Sequence, residues 1–213
     1  VGRLDNELGH YRFVYTKGAK KLNGFSPFPG MVNLEQVYES DELLPVFHNR
    51  MLSRSRPEYR DFLKWSGFNP ESPPNPLELL GITEGLRATD KLELFPCPRP
   101  DANNNYDAKF FLHGIRYMSD AARQEISRFD SGESLGFMFD VSNAVDPFAV
   151  AIRTCPPRDR LLIGYMPRYL SRDIKMLYDN LQSRYLRLEA LRVNPDAPMQ
   201  TRLLGPMNAP LPQ

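Results

Sequence analysis

Between Asp107 and Asp179 the chain reads KFFLHGIRYM (109–118), then GESLGFMFDVSNAVDPFAVAIRT (132–154), then LLIGYMPRYL (161–170), and runs on into a long helical pattern. Phe110, Leu112, Gly114, Ile115 and Tyr117 predict a first strand, with Lys109, His113 and Arg116 facing elsewhere. Leu135, Phe137, Phe139 and Val141 alternate on one face of a second. Ala149–Ile152 and Leu161–Met166 predict two more, and Ala121–Phe129 suits one or two helical turns. Pro167 can open a helix, along which Leu170, Ile174, Leu177, Leu181, Leu188 and Leu191 trace an apolar stripe of core packing, not a cofactor box.

One polar segment interrupts these strands: Asp140-Val141-Ser142-Asn143-Ala144-Val145-Asp146-Pro147. Asn and Asp fold sharp turns by hydrogen bonding to nearby backbone, so turn chemistry alone is one reading of it. A binding site mounted on the turn is the other.

The 213 residues, 41% hydrophobic, suffice for one large domain or two small ones, and two are expected. With 27 Lys+Arg against 26 Asp+Glu the formal charge is +1, so affinity for nucleic acid must come from a local basic face. No apolar run is long enough to span a bilayer and no signal peptide opens the chain, which predicts a cytoplasmic protein. Cys97 and Cys155 lie far apart with no CxxC, and there are only three histidines, so neither a zinc site nor any other metal or cofactor is expected. The thiols should be reduced. His10, His48 and His113 stand in unrelated contexts, no nucleophile motif is present and the acids are not grouped, which argues against an enzyme.

Residues 1–17 read as a β-hairpin with a polar turn over Asp5–Gly9 and Tyr11, Phe13 and Tyr15 on one face. The chain begins in mid-hairpin, so a preceding strand is expected. A glycine- and proline-bearing loop follows. Ser40 is placed to cap a helix running to Met51. Arg50, Arg54, Arg56 and Arg60 then form a basic knot, either solvated and paired with local acids or able to hold a phosphate or an acidic partner. Pro57 opens a further helix that Gly67 stops. Residues 69–76 are a proline-rich connector, Leu77–Leu80 a short helix or turn, and Lys91–Phe95 a strand by its clean alternation. Pro96, Pro98 and Pro100 followed by Asp101–Asn105 mark a boundary near residue 101. The expected units are therefore 1–100, 101–192 and a proline-rich, weakly ordered tail over 193–213, bearing Pro195, Pro198, Pro206, Pro210 and Pro212.

Two stretches resemble known families. The strand pair, the proline loop and LLPVFHNRMLSRSR, within residues 1–67, resemble the N-terminal small subdomain of HipA-type kinases. No glycine-rich nucleotide loop, His-Arg-Asp or Asp-Phe-Gly element accompanies it. That resemblance implies an antitoxin-like regulator docking on a separate HipA-type kinase. The second is stronger: GIRYM, GESL, D-x-x-N-x-x-D-P-x-A-V-A-I and IGYMPRYL, over about residues 108–179, resemble the HIRAN domain. That family is found in bacteria alone or fused, and in eukaryotes attached to fork-remodelling SWI/SNF-type ATPases.

The HIRAN resemblance implies an OB-like β-barrel that binds single-stranded DNA and captures free 3′ ends. The fold expected is thus α+β, a small mixed β/α N-terminal domain before an OB-like barrel with a C-terminal helix. In this chain Asp146 would accept a hydrogen bond from a 3′-hydroxyl and repel a continuing phosphate. Tyr117 would stack on a terminal base. Asn143 would bond base edges or sugar oxygens, Arg116, Arg168 and Lys109 would neutralise phosphates, and Tyr165 would add a stack or a phosphate bond. Where eukaryotic end-binding members commonly carry an aromatic just before the turn's acid, this chain has Val145.

Overall fold

The structure, a computed structural model, describes residues 1–97, 99, 101–103, 105–181 and 186–210. Pro98, Pro100 and Asn104 of the expected boundary, and Pro212 of the expected tail, lie outside the described residues. β1 (Gly2–Glu7) pairs antiparallel with β2 (His10–Tyr15), Gly2 opposite Tyr15 and Glu7 opposite His10. Leu8 and Gly9 alone reverse the chain, both at positive φ (53° and 93°), the backbone that suits a two-residue hairpin. Asp5, Asn6 and Glu7, expected in the turn, consequently extend β1.

After α1 (Lys17–Lys21), β3 (Tyr38–Ser40) pairs with β2, which leaves β1 at one edge of a three-stranded sheet. Ser40 sits opposite Tyr11 in that ladder and so ends a strand instead of capping a helix. The helix expected from Ser40 shrinks to α2 (Pro45–His48), started by Pro45. Phe13 and Tyr15 of β2 pack with Phe28, and Phe13 also with Phe47. The buried Tyr15 hydroxyl donates to the Met31 carbonyl at 2.9 Å and accepts from Phe28 N–H at 2.7 Å, so it pins the proline loop while leaving no polar atom unpaired.

Two helices follow, α3 (Tyr59–Trp65) and α4 (Pro76–Thr83), the latter opened by a capping box between Asn75 and Glu78. Of the arginine knot, Arg50 is structural: its side chain is 4% exposed, pairs with Asp90 and donates to the Gly85 carbonyl at 2.8 Å. Arg56 and Arg60 pair at the surface with Glu58 and Glu71. Lys91–Phe95 is no strand. Its alternation survives as burial, with Leu92 and Leu94 against the N-terminal core, but its backbone has no ladder partner beyond the bond from Leu94 N–H to the Glu84 carbonyl at 2.9 Å.

The remainder is a curled antiparallel sheet. Its strands are β4 (Asn105–Phe111), β5 (Glu133–Phe139), β6 (Val150–Arg153), β7 (Leu162–Tyr165), β8 (Arg187–Ala190), β9 (Arg192–Val193) and β10 (Leu203–Pro210). They lie in the order β4-β10-β8-β5-β6-β7, with β9 beside the start of β10. A single bridge, His113 to Tyr165, ties β7 back to the chain just past β4. Phe110, Leu135, Ile152, Ile163, Leu188 and Met207 fill the interior with Ile126 of α5 (Asp120–Ile126) and Leu170 and Ile174 of α6 (Arg168–Leu181). The class is α+β, a small N-terminal sheet and a half-barrel consistent with an OB-like domain.

Three expectations are corrected. Tyr117 lies in a one-turn 3₁₀ segment, Ile115–Tyr117, because Gly114 at φ 73° ends the strand. Val141 falls past β5 and is exposed. The apolar stripe divides, since α6 ends at Leu181, while Leu188 faces the core from β8 and Leu191 links β8 to β9. The largest difference is in the expected tail. Leu203–Pro210 is an interior strand paired with β4 along its length and with β8 at Met207 and Asn208, and it buries Leu203, Leu204 and Met207. Pro206 and Pro210 mask that burial in the sequence, since proline removes a ladder donor.

Arg158 clamps the loops beneath β5, bonding Glu133 and Glu125, donating to the Arg128 carbonyl at 2.7 Å and lying 4.9 Å from the centre of the Phe129 ring. Its bonds hold both carboxyls below their ordinary values. Arg158→Ala is expected to cost about 2–3 kcal/mol in urea unfolding. Depressed carboxyl values contribute stability above the unfolded value of 4.5 and lose it as pH falls through the folded ones, so the variant's acid unfolding should be less steep below that pH. Deleting residues 203–213 removes the strand between β4 and β8 and should leave no cooperative thermal transition for the barrel.

Candidate nucleic-acid interface

The turn joining β5 to β6 is built on Asp140. One oxygen accepts from the Asn143 amide at 3.1 Å and from the Tyr165 hydroxyl at 3.0 Å, the other from the Ser142 hydroxyl at 3.2 Å. Asn143 in turn accepts the backbone N–H groups of Val145 and Asp146, each at 3.0 Å. Both ends of its amide are therefore engaged in shaping the turn. The bonds from Asn143 and Tyr165 hold the Asp140 carboxyl below the usual range, while burial and the Asp140 charge push the Tyr165 phenol up. An ionised acid and a protonated phenol are the stable pair.

Asp146 is half-buried, and one of its oxygens accepts Phe148 N–H at 2.9 Å. The other accepts no hydrogen bond from the described residues, so the turn uses half of this carboxylate and leaves half for a ligand. Around it Val141, Val145 and Phe148 are exposed.

Tyr165 ends β7, and its ring passes 3.4 Å from where a Cβ on Gly114 would stand. Gly114 thus brings the Ile115–Tyr117 turn beside Tyr165. There Tyr117 is 72% exposed, with the Arg116 guanidinium 4.7 Å from its ring centre. Arg123 of α5 steadies this turn by donating to the Arg116 carbonyl at 3.2 Å and to that of Met118. Across the turn, α6 brings Arg172 to 5.8 Å from the Phe148 ring centre and Lys175 to 5.0 Å from that of Phe139.

Asn143, Asp146 and Tyr165 are joined through Asp140, and Arg116 and Tyr117 follow through Gly114. Arg168 opens α6, where its charge acts on Glu93. Lys109 is not brought to this group: it lies on β4 opposite Pro206 and lines a groove against the N-terminal sheet. Asp140, Phe148 and Arg172 were missed as site residues. The four-residue step from Arg168 to Arg172 on one helical face was a signal for the last; Phe148 had none beyond its place after Asp146-Pro147.

On the far side of the bridge, the His113 ring lies 2.9 Å from Glu84, which is 2% exposed. Burial pulls the imidazole down, but the Glu84 bond and charge, with Glu93 near, leave its value raised. Among the described residues no group of acids, histidines or cysteines could hold a metal, and no helix is long and apolar enough to cross a membrane. Cys97 and Cys155 are free thiols.

The half-barrel thus carries a polar turn, an exposed tyrosine and arginines at one end. The model of the HIRAN domain matches residues 85–205, more than half of the chain, and the protein belongs to that family. The match extends beyond residues 108–179 in both directions and does not reach residues 1–67, which no comparison relates to HipA-type kinases. Among solved structures, a protein from Lactobacillus plantarum is 18% identical, with a TM-score of 0.38, over 48% of this chain and 96% of its own. The HIRAN domain of human HLTF is 13% identical, with a TM-score of 0.33, over 48% of this chain and 71% of its own. No curated protein matches the chain.

Tyr165→Phe deletes one of the bonds that hold Asp140 ionised. The Asp140 carboxyl should then titrate closer to the ordinary carboxylate value, and a carbon-detected NMR titration of its Cγ would read the rise.

Proposed function

We propose that this protein binds single-stranded DNA without enzymatic activity, through the end of the half-barrel where the β5–β6 turn meets Tyr117, and that it favours strands with a free 3′-hydroxyl. Membership of the HIRAN family supports a nucleic-acid-binding role. The observation that carries the finer reading is the half-used Asp146 carboxylate among exposed rings and unpaired cations. A 3′-hydroxyl can donate to its open oxygen, whereas a phosphate continuing the strand meets a like charge.

Tyr117 and Phe148 offer ring faces to bases, in the absence of an aromatic at Val145. Arg116, Arg168 and Arg172 form no ion pair among the described residues and are available to phosphates. Asn143, Asp140 and Tyr165 hold the turn in the shape that presents Asp146. No cofactor is required by this reading. The alternative, an antitoxin-like regulator docking on a HipA-type kinase through residues 1–67, has the sequence resemblance as its support, and a pull-down with such a kinase would decide it.

The test is fluorescence anisotropy with a labelled oligonucleotide ending in either a 3′-hydroxyl or a 3′-phosphate. The hydroxyl strand should bind more tightly, Tyr117→Ala should cost about 1–3 kcal/mol, and Asp146→Asn should shrink the preference between ends. Three neutralised phosphates give a log–log salt slope of about −2 on a single strand. Equal binding of both ends by the unaltered protein would remove end recognition, and no binding of either would remove the DNA reading.

A further inference from the structure

A second feature of the fold is independent of the DNA reading. Between the N-terminal sheet and the half-barrel lies an open groove of about 1150 Å³. Its lining takes in Val1 through Asn6 without a gap, and Lys91 through Cys97, also without a gap. Side chains of an extended segment alternate between two faces, so an unbroken run along a wall means that the edge of the backbone faces the cavity. β1 is an edge strand, paired only with β2, and every second residue of such a strand directs its N–H and C=O away from its partner. Lys91–Phe95 has the alternation of a strand and no ladder partner.

We infer that this groove receives an extended acidic peptide from a partner protein, added as a strand to the free edge of β1 with the Lys91–Phe95 segment on its other side. The floor is apolar, with Phe28, Phe47 and Leu80 among its lining residues, which suits alternate apolar side chains of the incoming strand. The charge balance selects acidic ones. Lys91, Arg99 and Lys109 line the groove and form no salt bridge among the described residues. The acids present are committed or weakened: Asp5 pairs with Arg3, Glu78 accepts the Asn75 N–H, and burial pushes the Glu93 carboxyl up. Ser66, 3% exposed, lines the groove, and its buried hydroxyl has no hydrogen-bond partner.

The probe is a phage-displayed library of random octapeptides panned against the full chain, followed by titration of the synthetic consensus peptide. Cys97, exposed on the groove wall, carries an environment-sensitive fluorophore in a Cys155→Ser background. Selected peptides should alternate Asp or Glu with apolar residues. The consensus should bind saturably, and about tenfold more weakly to Lys91→Glu/Arg99→Glu, while oligonucleotide binding by that variant is unchanged. A proline placed centrally in the peptide should abolish binding by removing a ladder donor. No enrichment, a consensus without acids, indifference to proline, or loss of the site through self-association seen as a dimer in sedimentation would each overturn the proposal.

Discussion

The barrel's last closure is one antiparallel bridge, His113 with Tyr165, made of two N–H···O bonds of 2.9 Å each. Both sides of the molecule hang on it. The Tyr165 hydroxyl reaches Asp140 and so sets the β5–β6 turn, while the His113 ring reaches Glu84 at the end of α4. A shift of this seam would move the turn relative to Tyr117 and loosen α4 from the barrel together. Gly114 makes the seam possible, since only a left-handed residue beside the Tyr165 ring lets the chain leave β4 for the Ile115–Tyr117 turn.

The N-terminal sheet is not a free appendage. Besides His113–Glu84, the Asn194 amide donates to the Trp65 carbonyl at 3.0 Å and to the Thr201 carbonyl at 2.7 Å, stitching α3 to the chain before β10. Phe95 stacks face to face on Tyr169 of α6 at 4.3 Å between ring centres. Buried polar groups satisfied across such a junction favour one relative placement over many. The Arg50 guanidinium belongs to the same scheme, fastening α2 to the segment around Asp90.

The residues show why some of this was legible in sequence and some was not. Period-two alternation marked β2 and β5 because one face of each is buried, β6 showed as a short apolar run because both its faces are covered, and Gly67, at positive φ, follows α3 where the sequence put its stop. The turn was legible because Asn143 and Asp146 serve it locally, within a few residues. What failed was non-local. Ser40 has cap chemistry but was claimed by the ladder with Tyr11, and Lys91–Phe95 has strand chemistry but no neighbour to pair with. Prolines at 206 and 210 suggested a loose tail because nothing nearby reveals that β4, far back in the chain, lies waiting for it.

That distance in sequence has a consequence for how the protein is made. β4 leaves the ribosome well before β10, and at ~5–20 residues per second its open edge spends seconds without the strand that will cover it. During that interval Phe110 and Phe111 are uncovered beside unpaired backbone, a nascent surface suited to a chaperone or to a wrong partner. Folding of the barrel therefore waits for β10, while the N-terminal hairpin, whose contacts are local, can form well before it.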